Sequence, residues 1–238
     1  MNRPYIICHM VTSLDGKVTG NFLSAPACES ACEIYYDINR SLQADGFICG
    51  RVTMEGSFTG GYYPDLSQFA PVHHGGGFKM DYMLDEEDMS GFYAVAFDPK
   101  GKLGWKSNKI IDPDGDPGYD NAQIIEVLTE QVDERYLAYL ESMEIPYIFA
   151  GETEIDVDLA LFKLKNIVGC NTLLLEGGSI VNGYFQRADV IDLLSLVVAP
   201  VVADKDDKPL FTDSTIAAFE LIKAENRNGN LVLNYKRK

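Results

Sequence analysis

Short apolar runs, each stopped by glycine or aspartate, alternate along this chain with stretches whose apolar residues recur at helical spacing. Residues 5–11, 46–50, 93–97, 123–128, 146–150, 172–175 and 191–200 are the runs. Between them, Ala31, Ile34, Tyr35, Ile38 and Leu42 mark a helix over 29–42, and Tyr136, Leu137 and Leu140 mark another over 133–143. A third helix is expected over 156–166, with Asp156 as N-cap, and a fourth over 180–188. Strand–helix alternation of this kind builds a mainly parallel sheet with helices on both faces. Residues 219–224 and 231–236, joined by a turn containing Asn228-Gly229-Asn230, read as an antiparallel closing hairpin. No linker and no internal repeat interrupts the rhythm, so residues 1–238 are expected to form a single α/β domain.

Thr172-Leu173-Leu174-Leu175 followed by Glu176-Gly177-Gly178-Ser179-Ile180-Val181-Asn182 is the most informative junction. A strand, a glycine turn and a helix start aim unpaired backbone N–H groups at one point, where an anion is stabilised. Two glycines let a phosphate approach the backbone with no Cβ in the way. Glu176 stands at the strand's C-terminal end, where ligands bind in open α/β sheets.

The other strand ends repeat the pattern. Their loops are 13–17, 50–53, 98–101 and 151–153, and together they supply Asp15, Lys17, Gly50, Arg51, Thr53 and Gly151. Asp15 could close an Asx turn with Gly16, Arg51 could pair with a surface acid, and Thr53 could cap a helix beginning near Met54. Arg51 is also the best-suited phosphate contact, since a guanidinium makes paired hydrogen bonds to such groups.

Composition narrows the partners. Twenty basic and 36 acidic residues give a net charge of −16, which argues against nucleic acid, whose binding rests on basic surface. An anionic cofactor must then rely on local N–H groups and a few cations. Five cysteines without regular spacing, Cys28 and Cys32 among them, fit reduced thiols in a cytoplasmic protein. With three histidines in the chain, no metal site is expected. The N-terminus runs into a strand with no signal-peptide pattern, and no apolar run is long enough for a membrane span. Residues 57–91, rich in glycine and tyrosine and containing His73 and His74, read as a long functional or mobile loop.

Ser13-Leu14-Asp15-Gly16-Lys17, Gly50-Arg51-Val52-Thr53, Leu175-Glu176-Gly177-Gly178 and Arg187-Ala188-Asp189-Val190-Ile191-Asp192, running on into Val197-Val198-Ala199-Pro200, occur in that order. Together they resemble the reductase domain of riboflavin biosynthesis, the RibD C-terminal type of the dihydrofolate reductase-like superfamily. The resemblance covers about residues 4–202. That domain forms the C-terminal half of a bifunctional deaminase-reductase. The zinc signature of the deaminase half, His-x-Glu with Pro-Cys-x-x-Cys, does not occur, so the chain looks like a stand-alone member.

The resemblance implies a dihydrofolate reductase-like three-layer fold and an NADPH-dependent oxidoreductase. It places the cofactor diphosphate on Gly177, Gly178, Ser179, Ile180, Val181 and Asn182, with Gly50, Arg51, Thr53 and Gly151 as further cofactor contacts. It sets Asp15 and Glu176 beside the substrate. The implied reaction is hydride transfer to a carbonyl or imine carbon, as in 5-amino-6-(5-phosphoribosylamino)uracil reductase. One departure stands out: Gly56-Ser57-Phe58-Thr59-Gly60-Gly61-Tyr62-Tyr63 replaces the family's Asp-Asn/Asp-Pro stretch, and the arginine that holds the substrate phosphate there has no match before Arg135. The resemblance therefore implies the reductase chemistry rather than the riboflavin substrate.

Asp15, Lys17 and Glu176, or a water they hold, are the candidates for proton delivery. Two other readings remain open at this point. A pterin-type reductase of the same fold would use a carboxylate on the first helix, Glu29 or Glu33; a non-catalytic module would bind NADPH without turnover. A homodimer is expected, because the strand 193–202 is too long and apolar to leave as an exposed edge.

Overall fold

The computed structural model describes residues 2–72, 79–89 and 91–238, so His73 and His74 lie outside the described residues. In chain order the main elements are β1 (Tyr5–Thr12), α1 (Glu29–Leu42), β2 (Gly46–Gly50), α2 (Arg51–Met54), β3 (Tyr93–Phe97), β4 (Gln123–Leu128) and α3 (Glu134–Ser142). Then follow β5 (Tyr147–Phe149), α4 (Val157–Asn166), β6 (Thr172–Leu175), α5 (Ser179–Arg187), β7 (Leu193–Val198), β8 (Phe219–Arg227) and β9 (Asn230–Arg237). Strands and helices fall where the apolar patterning places them. Asp156 accepts the Leu159 N–H at 2.9 Å and caps α4, a contact worth about 1 kcal/mol.

The chain organises into two compact units that interleave in sequence. One comprises Asp45–Asn171 with the N-terminal residues up to Pro4; the other comprises Tyr5–Ala44 and Thr172–Lys238.

In the first unit β2, β3, β4 and β5 pair in parallel in that order. Every residue of β2 to β5 is buried, as a strand covered on both faces requires. Its core holds two carboxyls. Glu126 accepts the Trp105 indole N–H at 2.5 Å and the Tyr136 hydroxyl at 3.3 Å. Asp98, at the end of β3, accepts the backbone N–H groups of Lys102 and Leu103. Among the described residues, Glu126 Oε2 and Asp98 Oδ1 have no hydrogen-bond partner. Burial, then the neighbouring Asp98, pushes the Glu126 carboxyl well above the ordinary range.

The second unit is built on β1, which pairs in parallel with β6 on one side and β7 on the other. β9 pairs antiparallel with β7, and β8 with β9. Asn228 and Gly229, at φ 53° and 84°, make the hairpin turn, a left-handed pair suited to Asn-Gly. Helix α1 lays Ala31 and Ile34 into a core shared with Val11, Val197, Ala199 and Val232. Strand β7 ends at Val198 and lies between β1 and β9. It is interior and covered by the hairpin, so the apolar run at 193–202 does not need a second copy to cover it, which removes the reason first given for a homodimer.

A buried acid with a raised folded-state pKa stabilises the fold below its unfolded pKa, and that contribution is lost as pH rises through the folded value. Glu126→Gln should therefore raise the melting temperature relative to wild type at pH 8, with the gap closing toward pH 5. Thermal melting across that pH range checks this.

Candidate active site

Glu176 follows β6 directly. Cys8 of β1 pairs with Leu175, so the next step in register sets Glu176 beside the middle of β1. Its side chain is buried and accepts the Asn39 amide N–H at 2.7 Å. Burial, then the Glu176 charge, raises the Cys8 thiol, which keeps this cysteine protonated.

The turn after Glu176 is shaped by glycine. Gly177 has φ +95°, and a Cβ there would meet the Met10 side chain at 3.3 Å. Gly178 has φ −73° and ψ −168°, extended backbone open to any residue. The left-handed position of the turn is thus Gly177. Helix α5 then starts with Gly178 as N-cap and no side-chain cap. The first-turn N–H groups of a helix have no intrahelical acceptor, and they carry the positive end of the helix dipole. Asn182, fully buried one turn in, gives its Nδ2 to the Leu210 carbonyl at 3.1 Å, while its Oδ1 has no partner among the described residues. A turn without Cβ atoms and an uncapped helix start fit a phosphate-bearing cofactor at Gly177–Asn182, whereas the free Asn182 Oδ1 is an acceptor and suits a donor group rather than a phosphate oxygen.

Ser179 does not fit as a side-chain ligand. Its hydroxyl is spent on the Pro209 carbonyl and on the Thr212 hydroxyl at 2.6 Å, leaving only its N–H for an anion. Ile180 is exposed on the helix surface and Val181 is buried, so these two also offer backbone alone.

The segment between β7 and β8 ties the site together. Leu14 N–H donates to the Val201 carbonyl at 2.8 Å, Val18 N–H to Lys208 at 2.9 Å, and Leu210 N–H to Gly16 at 3.0 Å. The same segment lies along α5. A Cβ on Gly183 would meet the Thr212 carbonyl at 1.9 Å, and Gln186 and Thr215 exchange hydrogen bonds at 2.8 and 2.9 Å. It also fixes two proposed catalytic groups. Asp15 is exposed and accepts the Ala203 N–H at 3.0 Å and the Ser13 hydroxyl at 2.7 Å, which hold its carboxyl below the usual carboxylate range. Lys17 Nζ donates to the Asp207 carbonyl at 2.8 Å and to that of Lys205 at 3.3 Å. Both contacts to Asp15 favour its ionised form, while Lys17 serves in part as a strut.

In the first unit, Gly50 caps α2 and Thr53 sits within that helix, which begins at Arg51 rather than near Met54. Thr53 is thus not a cap. Arg51 pairs with Glu55 at 2.7 Å, one helical turn on, and also feels the charge of Asp98. Gly151 follows β5, three strands from the end of β2, a separation of about 14 Å at ordinary strand spacing. Its φ of +115° and the Glu154 carbonyl, 2.0 Å from where a Cβ would be, give it a structural reason to be glycine. Phe58 meets Phe47 and Tyr119, and Tyr63 stacks on Tyr136 while staying exposed. Tyr62 stays partly exposed beneath the Lys106 ammonium, 5.0 Å from the ring centroid.

Sequence reasoning missed Asn39 and the 201–215 segment. Asn39 was detectable as an amide one turn beyond Tyr35, on the apolar face of α1. The segment has no periodic signal, and only the fold reveals it.

The fold is α/β, with these loops at the ends of its parallel strands. Residues 118–233 match the family model of the RibD C-terminal domain, which bears out the resemblance drawn from the motifs. Among solved structures, the chain is similar over its whole length to a pyrimidine reductase-like protein from Corynebacterium diphtheriae, with a TM-score of 0.66, 17% identity and 93% of that chain covered. It is similar to the riboflavin biosynthesis reductase of Saccharomyces cerevisiae, with a TM-score of 0.63, 14% identity and 91% covered. It is also similar to Acinetobacter baumannii RibD, with a TM-score of 0.66 and 16% identity; all of this chain aligns, spanning 59% of that protein's chain. No curated protein matches the sequence significantly. Among the described residues, no helix is long and apolar enough to cross a membrane.

Alanine at Gly183 must displace the Thr212 backbone. Gly183→Ala should cost about 1–3 kcal/mol by overpacking, despite alanine's better helix propensity. Urea unfolding measures the loss, and limited proteolysis should cut faster within 201–215.

Proposed function

We propose that this chain is an NADPH-dependent reductase that delivers a hydride to a carbonyl or imine carbon of a small heterocyclic or ribosylaminopyrimidine-like substrate. The observation that carries this reading is the Glu176-Gly177-Gly178 turn: a buried carboxylate beside an uncapped helix start. The similar structures include a pyrimidine reductase-like protein and a riboflavin biosynthesis reductase, which supports the class.

Bound NADPH would supply the hydride. The N–H groups of Ser179, Ile180 and Val181 would hold its diphosphate, and the second Nδ2 hydrogen of Asn182, beyond the one given to Leu210, would add a donor. Arg51 and Thr53 would take the ribose 2′-phosphate, with Gly50 letting the backbone approach. Glu176 would orient the substrate by accepting its hydrogen bonds, and with the ionised form of Asp15 favoured the proton would arrive through water.

The pterin alternative gains no support from α1: Glu29 and Glu33 are both exposed, and the residue that reaches the site from that helix is the neutral Asn39. A binding module without turnover is separated by experiment. With saturating NADPH and a panel of carbonyl and imine acceptors, the reductase reading expects oxidation followed by absorbance; binding with no oxidation on any acceptor would favour the module. We also propose a homodimer joined along β8, which is bonded to β9 on one side and exposes Leu221 and Ile222. A monomer by light scattering at micromolar concentration would refute it.

Gly178 has φ −73°, outside the left-handed region, so Gly178→Val places a side chain at the start of α5 where the cradle would hold the diphosphate. It should abolish NADPH binding by calorimetry while the melting temperature without ligand holds; normal binding would remove the cradle assignment. Glu176→Gln should lower turnover with little change in NADPH affinity. Arg51→Ala should narrow the preference for NADPH over NADH by about 1–3 kcal/mol. Equal affinity of the wild type for both cofactors would defeat the 2′-phosphate assignment.

A further inference from the structure

We infer that Asn39 is a positioning residue for this reaction: its amide fixes the carboxylate of Glu176 in the orientation from which Glu176 engages substrate. The inference rests on the role proposed for Glu176 above. Asn39 is 5% exposed, and it occupies a place on α1 that the helix pattern reserves for apolar side chains. An asparagine there lowers helix propensity, and burying its amide is unfavourable unless the amide is hydrogen-bonded. The contact it makes with Glu176, 2.7 Å long, joins two buried groups from elements far apart in sequence.

The helix that carries Asn39 is itself held in register. One turn earlier, Tyr35 stacks on His9 with ring centroids 4.3 Å apart and planes within 1°. His9 Nε2 lies 3.0 Å from the Tyr35 carbonyl, and its Nδ1 lies 3.0 Å from the Ser195 hydroxyl. A neutral imidazole donating from Nε2 to the Tyr35 carbonyl accepts the Ser195 hydroxyl at Nδ1, which also lies 3.2 Å from the Ser195 carbonyl oxygen. Burial lowers the His9 pKa and favours that neutral form. The amide is thus delivered by a helix pinned to the same strand, β1, that pairs with the strand leading into Glu176. The donor's chemistry also matters. A lysine or arginine at this place would orient the carboxylate and neutralise it; an amide orients it and leaves its charge for substrate.

Asn39→Leu removes the donor at similar volume, and Asn39→Asp keeps the shape while replacing the donor with an acceptor. Turnover should fall about 10-fold or more in both, the effect of losing a hydrogen bond to a charged group, while the NADPH dissociation constant stays within about 2-fold. In a Glu176→Gln background, Asn39→Leu should cause little further loss, because the two residues act as one unit. Full turnover in both single variants, or a multiplicative loss in the double variant, would overturn the proposal while leaving Glu176's own role standing. A readout independent of turnover is the Asn39 side-chain amide resonance by NMR. It should move in Glu176→Leu; an unmoved resonance would also overturn the proposal. If Glu176→Gln itself keeps full turnover while that resonance does respond, the failure belongs to the role assigned to Glu176, and the positioning role falls with it.

Discussion

The parallel pairing of β1 with β6 is the constraint on which the second unit depends. The two strands come from opposite ends of the chain, and the Cys8–Leu175 register decides what faces what. Glu176 comes to rest beside β1, within reach of α1. Shifting one strand by a single residue would turn every side chain to the other face, burying the wrong group at the strand's end. Fully buried Ile6, Cys8, Leu173 and Leu175 oppose that slip.

From that pairing follows a division of labour around α5. Side chains on one stripe of the helix, Ser179, Asn182, Gln186 and Arg187, hold the 201–215 segment. The backbone at the helix start is left for an anion. Because the Ser179 hydroxyl is occupied, recognition there would fall to peptide N–H groups and the helix dipole, whose geometry is set by the fold and loses no side-chain entropy on binding. This also reconciles an anionic ligand with a chain of net charge −16: short-range donors act where the long-range field is unfavourable.

Most of the architecture was legible because burial on both faces leaves a plain mark on sequence. The 46–50, 93–97 and 123–128 runs became β2, β3 and β4 with the expected bounds, and helix α1 spans the expected 29–42. The Glu-Gly-Gly junction was legible for a different reason: a positive φ at Gly177 demands glycine. What escaped was set by tertiary contact. The role of β7 as an interior strand depends on the hairpin returning to cover it. The Ser179 hydroxyl reads as a ligand until the 209–212 stretch claims it. Arg51 reads as a phosphate contact, and the structure adds a Glu55 carboxylate already paired with its Nη1. Asp98 and Glu126 carry no mark in the sequence that sets them apart from surface acids, and only the fold buries them.

The central claim is that backbone N–H groups at the start of α5 receive the cofactor's diphosphate. Amide NMR during an NADPH titration tests it most directly, since it observes those N–H groups themselves. The account predicts that the amides of Ser179, Ile180 and Val181 show the largest shifts, saturating with one NADPH per chain. Saturable binding that leaves these three amides unmoved would contradict it.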